Sequence, residues 1–449
     1  MASDLRDFDL LILGASGFTG KYVVREALRF LSTPASPLRT IALAGRNPNK
    51  ISQTLAWAST PNPPPNIPIL HADVSDSDSL IPLFRRARLV LSCVGPFRIY
   101  GAPVVASCVA AGTDYLDISG EPEFMERMEV EFHELAVKNG SLVVSACGFD
   151  SVPAELGVVF NSRQWVAPSA PNCVEAYLSL ESEKKIVGNV GTYESAVLGV
   201  ANADKLQELR RSRPRRARPL IPGPPPPRGP TLEHQKTFGL WAVRLPSADS
   251  IVVRRTLAAL TENPHGLPGV NESEEDIERR THLWSTVKPV HFGVKIGTKS
   301  LLGLLRIMVT GMFIGLFGKM SFGRKLLLKY PEFFSLGWFR KAGPTEEEVN
   351  SATFKMWFLG HGYSDVSLAS QGAKPDTEII TRVSGPEIGY LTTPIILIQC
   401  ALIVLDQRGK LPKGGVFPPG IVFVPTDLQE RLQENGISFD FISKRALSN

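Results

Sequence analysis

A largely apolar run from Phe8 to Leu13 stops at Gly14, and Gly17 and Gly20 follow at three-residue steps. From Lys21 to Leu28 the pattern changes again, with Val23, Val24, Ala27 and Leu28 at helical spacing. A short apolar run that ends in a turn reads as a buried parallel strand. Parallel neighbours need crossovers, so this stretch commits the N-terminal part of the chain to a sheet covered by helices. Where a strand turns straight into a helix, three such glycines have separate duties. The first permits the tight turn, the second lets backbone approach a pyrophosphate, and the third lets helix and strand pack closely. The anion then rests on unpaired N–H groups at the helix start. The expectation is a dinucleotide site built on Gly14, Ala15, Ser16, Gly17, Phe18, Thr19 and Gly20.

The pattern then repeats. Thr40–Ala44 reads as a second strand ending in Gly45 and Arg46. An acid at this point would accept from the 2′-hydroxyl of NAD, whereas an arginine suits the 2′-phosphate of NADP. Such a charge-assisted contact is worth roughly 1.5–3 kcal/mol, so NADP is the expected cofactor. Ile67–His71 makes a third strand after a surface loop expected over Thr54–Pro68. Asp73 beyond it could reach the adenine amino group, and a plain helix N-cap is the equal alternative for Asp73 and for Asp76. Leu89–Val94 is a fourth strand, stopped by Gly95 and Pro96, which should face the nicotinamide end. Tyr115–Glu121 and Ser141–Ala146 supply two more strand ends, separated by a helix over Pro122–Lys138. Six alternations of strand and helix mean an α/β, Rossmann-type doubly wound parallel sheet with right-handed crossovers.

At 449 residues the chain is too long for one core, and two domains are expected. With 43% apolar residues, wholesale disorder is excluded. A net charge of +5 is small for this length and does not suggest nucleic acid. The five cysteines are scattered without a Cys-x-x-Cys pair, which fits a reducing compartment and no metal site. The acidic N-terminus and the C-terminal Arg445–Asn449 carry no recognisable targeting or lipid signal, so cytosolic synthesis without secretion is expected.

Several motifs, taken in order, resemble the saccharopine dehydrogenase-like oxidoreductases. They are Gly14–Gly20, Ala44–Arg46, Gly95–Phe97 with Tyr100 and Gly101, Tyr115–Glu121, Gly148–Pro153, Gly385–Tyr390, and Gly414–Gly415 with the Leu428–Gly436 helix. The resemblance covers most of the chain and is weakest over 210–281. It implies an NADP-binding domain over 1–160, a second α+β domain over 161–384, and a segment over 385–449 that returns to the first domain. The family includes trans-acting enoyl reductases of lipid assembly. Many of its eukaryotic members have no assigned reaction and associate with lipid droplets.

In the second domain Glu175–Leu180 alternates like a strand. Gly188–Ser195 opens a helix over Ala196–Leu209, and its Gly-Thr-x-x-Ser cluster either binds substrate oxygens or is capped by Thr192. Trp241–Arg244 and Ser250–Arg255 read as strands, Glu346–Leu359 as an amphipathic helix, and Pro394–Leu405 as an apolar helix packed on the first domain. The arginine-rich Arg210–Pro219 and the prolines of Pro222–Pro227 lie in a loop, 210–230, that reads as solvated. Without interleaved aromatics it does not read as an RNA site. The segment 295–329 places Lys295, Lys299, Arg306, Lys319, Arg324, Lys325 and Lys329 around apolar runs with no acid between them. It reads as an interfacial helix on a lipid droplet or membrane, or as a core helix, with a spanning helix behind both. A homodimer is possible.

No tyrosine has a lysine four residues on, which removes the Tyr-x-x-x-Lys mechanism, and no Ser-His-Asp order stands out. The polar groups at the strand ends are Tyr100, Tyr115, Asp117, Ser119, Glu121 and Asp150. Asp117 or Glu121, desolvated between domains, could donate a proton, with Tyr100 as a further candidate. Equally, Asp117 could orient ribose hydroxyls and Glu121 could cap the helix at Pro122. These groups are acidic or neutral, whereas a saccharopine-type substrate with several carboxylates would need fixed cations. The resulting expectation is an NADP-dependent reductase of a lipid-linked carbonyl or enoyl group, at the cytoplasmic face of a lipid droplet or membrane. The rivals are a non-catalytic NADP-binding scaffold and a saccharopine-type amino-acid dehydrogenase.

Overall fold

Each apolar run of the N-terminal part forms a strand and each 3.6-period run a helix. The order is β1 (Phe8–Leu13), α1 (Phe18–Leu31), β2 (Ile41–Gly45), α2 (Pro48–Ser59), β3 (Ile69–His71), α3 (Ser77–Phe84), β4 (Ala87–Ser92), α4 (Phe97–Ala111), β5 (Asp114–Asp117), α5 (Pro122–Asn139), β6 (Leu142–Val144) and α6 (Val152–Ser162). The computed structural model describes residues 6–31, 33–227, 229–244 and 247–447. Met1–Leu5, Arg228, Ser448 and Asn449, on which the terminal and loop readings partly rest, lie outside the described residues. These strands pair in parallel in the order β3-β2-β1-β4-β5-β6, and the order reverses between β1 and β4. A ligand crevice opens at such a switch point, beyond the carboxyl ends of the strands. The surface loop expected from Thr54 starts later, because Leu55 and Ala58 are buried and carry α2 on to Ser59.

The second sheet is mixed. The elements around it are β7 (Ala170–Ser182), the two-residue β8 (Gly188–Asn189), α7 (Val190–Ala201), α8 (Ala203–Arg211), β9 (Leu232–Gln235), β10 (Leu240–Arg244), α9 (Ala248–Glu262), α10 (Glu274–Thr286), β11 (His291–Thr298), α11 (Leu301–Gly318), α12 (Ser321–Lys329), β12 (Phe339–Arg340), β13 (Ala352–Tyr363) and β14 (Thr377–Pro386), of which β8 and β12 pair only with each other. Two late strands follow, β15 (Gly415–Phe417) and β16 (Ser438–Ala446). The seven-stranded order is β16-β14-β13-β7-β11-β10-β9, with β7 and β11 parallel and the other pairs antiparallel. The C-terminal segment returns to the first sheet through β15, which pairs with β6, and through the buried helix Thr393–Gln407, which packs on α1 and β4. The last strand instead leaves to pair with β14.

One apolar core joins the two sheets, running from Leu10 and Ile12 through Val158 to Phe354, Phe358 and Ile396. Helix α6 is the hinge of this packing. A Cβ at Gly157 would lie 2.0 Å from Phe358 Cζ, so only glycine lets α6 press so closely on β13.

Four expectations are corrected. Ser250–Arg255 is part of helix α9, because its first turn is capped by Ser247 and its apolar side packs on α6 and on the short helix Pro419–Phe423. Glu346–Leu359 splits into a one-turn helix, Glu346–Ser351, capped by Thr345, followed by the central strand β13. Helix α7 starts at Val190 under an Asn189 cap, so Thr192 lies inside it and is not the cap. The loop 210–230 is docked and not merely solvated. Arg210 pairs with Glu126 and Arg213 with Glu129 (3.2 Å), while Arg216 reaches both Glu129 (3.3 Å) and Glu262 (2.7 Å). Asn172 Nδ2 donates to the carbonyls of Pro222 (2.6 Å) and Pro224 (3.0 Å). Acids on α5 and α9 supply the countercharge that the isolated loop lacks.

Candidate nucleotide site and cleft

The glycine turn has the form a pyrophosphate cradle requires. Gly14 has φ +81°, a left-handed value that favours glycine, and a Cβ at Gly20 would lie 2.2 Å from the Gly14 carbonyl oxygen. The first turn of α1 carries no acid, and its N–H groups have no intrahelical acceptors. Ala15, Ser16, Gly17, Phe18 and Thr19 thus surround an anion-ready helix start. Arg46 stands exposed at the carboxyl end of β2, immediately before the N-terminus of α2. Asp73 accepts from Ser75 N (3.0 Å) and Ser75 Oγ (2.7 Å). Those bonds hold its carboxyl below the usual range, with a smaller contribution from Arg46. Asp76, not Asp73, caps α3. A 2′-phosphate would meet Arg46 and the α2 N-terminus together, so the residues fit NADP.

The cradle is roofed by later parts of the chain. The Tyr390 ring packs on Phe18 at 4.8 Å between centroids, and its hydroxyl accepts from Asn189 N at 2.7 Å. Glu387 holds this turn by accepting from Gly389 N (2.9 Å) and Tyr390 N (2.5 Å). Lys21 Nζ lies over the rings of Phe18 (4.6 Å), Tyr22 (4.9 Å) and Trp57 (4.6 Å). A motif at Gly385–Tyr390 therefore acts at the first glycine turn, far away in sequence.

At the other end of the crevice lie Gly95, Pro96, Asp117, Glu121 and Asp150, brought together by adjacent strand ends. Asp117 is wholly buried and accepts from Ser119 N (2.9 Å), Ala146 N (2.9 Å) and Ser145 Oγ (2.9 Å). Burial pushes its carboxyl up to about 6, against the pull of these donors. Its grip on Ala146 fixes a non-glycine residue at φ +68°, a conformation that costs about 1 kcal/mol or more. Glu121 stands at the N-cap position of α5 but gives its own helix no side-chain bond. It accepts instead from Phe97 N (2.8 Å) and Arg98 N (3.1 Å) at the start of α4, and from Ser195 Oγ (2.9 Å) on α7. Arg98 donates in turn to the Leu198 carbonyl and to Glu123 Oε2 (2.8 Å). Tyr100 sits on the first turn of α4, part-exposed, and is not drawn into this network.

Sequence reasoning missed Asp249. It is 4% exposed on the first turn of α9, with Ser247 Oγ donating to its Oδ2 at 2.7 Å and no partner on Oδ1. Burial first, and the neighbouring charge of Asp150 next, push it up to about 7. Glu155 on α6 also rises to about 7 through burial, despite hydroxyl donors from Thr256 and Ser151. Ser247 two residues before an acid is a helix-start signal that could have found Asp249, but Ile251–Val253 imitated a strand.

The residues 10–144 match the family model for the saccharopine dehydrogenase NADP binding domain. An Arabidopsis thaliana protein named "Probable mitochondrial saccharopine dehydrogenase-like oxidoreductase" is 68% identical, covering 97% of each chain. The chain belongs to the saccharopine dehydrogenase-like oxidoreductase family. It is an NADP-binding oxidoreductase by that membership. A Caenorhabditis elegans protein named "Lipid droplet localized protein" is 31% identical over 97% of this chain and 99% of its own length. Among solved structures, an apo saccharopine dehydrogenase (L-Glu forming) from Saccharomyces cerevisiae superposes with a TM-score of 0.52 at 14% identity, over 98% of this chain and 99% of that one. That likeness shows the fold.

Proposed function

We propose that this family member reduces a neutral, lipid-linked carbonyl or enoyl group with NADPH while resting on a lipid droplet or membrane surface, at the cytoplasmic face. The observation that carries the lipid setting is an apolar face the fold leaves uncovered. On α11 only Leu304, Ile307, Thr310 and Gly318 are buried. Phe322 is 76%, Phe333 71% and Leu302 61% exposed, with Leu316 and Met320 beside them. Soluble monomers seldom expose a contiguous apolar patch of this kind without a partner. Exposed Arg306, Lys319 and Lys325 accompany it, as anionic headgroups would require. The contact is narrower than 295–329, since Lys295 is buried between Glu175 and Glu233 (2.8 Å each) and Lys299 pairs with Glu181 (3.0 Å). Helix α11 has the length and composition to cross a membrane, but it packs along α7, β10 and β11, which favours lying on a surface.

The apolar face and the cleft share one wall. Tyr193 and Val197 of α7 are buried among Leu327, Phe313, Ile314 and Phe317, while Ser195 of the same helix bonds Glu121. The carboxylates of the cleft support a substrate without negative charge. NADPH supplies the hydride; the chain positions the cofactor and manages the proton. Purified protein incubated with NADPH and extracted lipids, followed by mass spectrometry, should yield a reduced lipid. No reduced product across broad lipid pools would favour the scaffold reading instead.

A further inference from the structure

The lipid-facing helices lead straight back to the nucleotide cradle. After α12 the chain runs through the short helix Pro331–Phe334 into β12, which pairs with β8 alone. Gly188 N donates to the Trp338 carbonyl (2.7 Å), and a Cβ added at Gly188 would lie 2.7 Å from the Phe339 ring. That ring also packs on Tyr193 of α7, 5.4 Å between centroids. Just beyond β12, Gly343 touches the cradle itself. It has φ +74°, and a Cβ there would lie 2.4 Å from Phe18 Cε2, so glycine suits both the conformation and the contact.

Phe18 begins α1, directly after Gly17 of the cradle. Tyr390 holds it from a second side, with its ring 4.8 Å away and its hydroxyl accepting from Asn189 N of β8 (2.7 Å). Phe18 is thus joined to β12 by two routes, through Gly343 and through Tyr390 with β8. Helix α7 adds a branch to the far end of the cleft, where Ser195 Oγ donates to Glu121 (2.9 Å) and the Leu198 carbonyl accepts from Arg98.

The seat of α11 and α12 on α7 is apolar. Tyr193 and Val197 meet Phe313, Phe317 and Leu327, and the fully buried Tyr193 hydroxyl has no partner among the described residues. Apolar contact is non-directional, and an unanswered buried hydroxyl penalises the seated position. The outer side leaves Leu302, Leu316, Phe322 and Phe333 in water, a further penalty that a lipid surface removes. Two ligands that favour one conformation tighten each other's binding by a common factor.

We propose that lipid-surface contact and NADPH binding are linked, and that α11 to Gly343 is the strap that links them. The proposal rests on the lipid-surface reading above. Lipid under the outer face holds the strap on α7 and β8, which fixes Gly343 and Tyr390 against Phe18 and so pre-organises the start of α1 for the pyrophosphate. NADPH, by fixing the same helix start, holds the strap in the position that meets the lipid.

The test uses the full chain with phosphatidylcholine–phosphatidylserine vesicles. Fluorescence titration should show NADPH binding tightened about fivefold or more by vesicles, and flotation should show vesicle binding tightened by the same factor when NADPH is saturating. Tyr390→Phe keeps the ring on Phe18 and removes the acceptor for Asn189 N, while Phe339→Ala loosens β12 at a distance from the cofactor. Each folded variant should lower the mutual factor below about twofold, whatever its affinity for NADPH alone. Wild-type protein that floats with vesicles yet binds NADPH equally with and without them overturns the linkage and leaves the lipid reading standing. A factor undiminished in both variants overturns the strap as its route. Protein that never floats overturns the lipid reading and the linkage with it.

Discussion

Glu121 is the junction on which the cleft depends, and replacing it separates a positioning role from a catalytic one. Its carboxylate accepts from the Phe97 and Arg98 N–H groups and from Ser195 Oγ, tying α5, α4 and α7 together. Glu121→Ala leaves two N–H groups at the start of α4 without an acceptor. Loss of a helix cap costs about 0.5–2 kcal/mol, and each hydrogen bond to a charged group is worth about 1.5–3 kcal/mol. Water can reach part of the vacated space, so the sum of three bonds overstates the loss. The expected destabilisation is about 3–5 kcal/mol, a large share of the ~5–15 kcal/mol typical of a domain. Glu121→Gln keeps one carbonyl acceptor and should recover about half of it. Urea unfolding followed by tryptophan fluorescence measures both, alongside NADPH titration. A Glu121→Ala protein within about 1 kcal/mol of wild type would refute the cap argument. Lost turnover at unchanged stability would make Glu121 a catalytic acid after all.

Four further outcomes follow from the structure. Arg46→Ala should reduce NADPH preference over NADH about tenfold or more in a fluorescence titration, and equal affinities in the wild type would sink the 2′-phosphate argument. Gly20→Ala places a methyl 2.2 Å from the Gly14 oxygen and should abolish NADPH binding while lowering thermal stability by about 1–3 kcal/mol; retained binding would show that the cradle can relax. Glu155 has a folded-state value of about 7 against an ordinary 4.5, so the folded protein holds the extra proton between these values and loses stability as pH rises through them. That loss is at most about 3 kcal/mol, and Glu155→Gln should remove it, seen as a urea midpoint that gains on wild type between about pH 5 and pH 8. Phe322→Ser with Phe333→Ser should abolish co-flotation with phospholipid-coated droplets without loss of NADPH binding; undiminished flotation would rule this face out as the anchor.

The first sheet was legible because its strands are buried on both sides and announce themselves as apolar runs bounded by glycine turns. Gly14, Gly17 and Gly20 needed no tertiary information. The second domain was less legible where local and tertiary preferences disagree. Ile251–Val253 is a β-branched run that packing on α6 makes helical. Glu346–Leu359 holds a helix-start signal followed at once by the alternation of a strand. Candidate site residues could be collected from the strand ends, but their partners could not. Ser195 reaches Glu121 across 74 positions of sequence, and Tyr390 closes over Phe18 from the far end of the chain. Nor does the charge pattern of Arg210–Arg216 reveal that acids on α5 and α9 await it.

The last 35 residues hold a strand for each sheet. β15 completes the edge beside β6, and β16 covers the edge of β14. During synthesis, therefore, the first sheet cannot be finished before β15 has emerged, nor the second before β16. The nucleotide-binding half emerges first with one edge unpaired and waits for a partner more than 270 residues downstream. A truncation between β14 and β15 would expose an edge in both halves at once. The two domains are separate in architecture, but they are born, and must be lost, together.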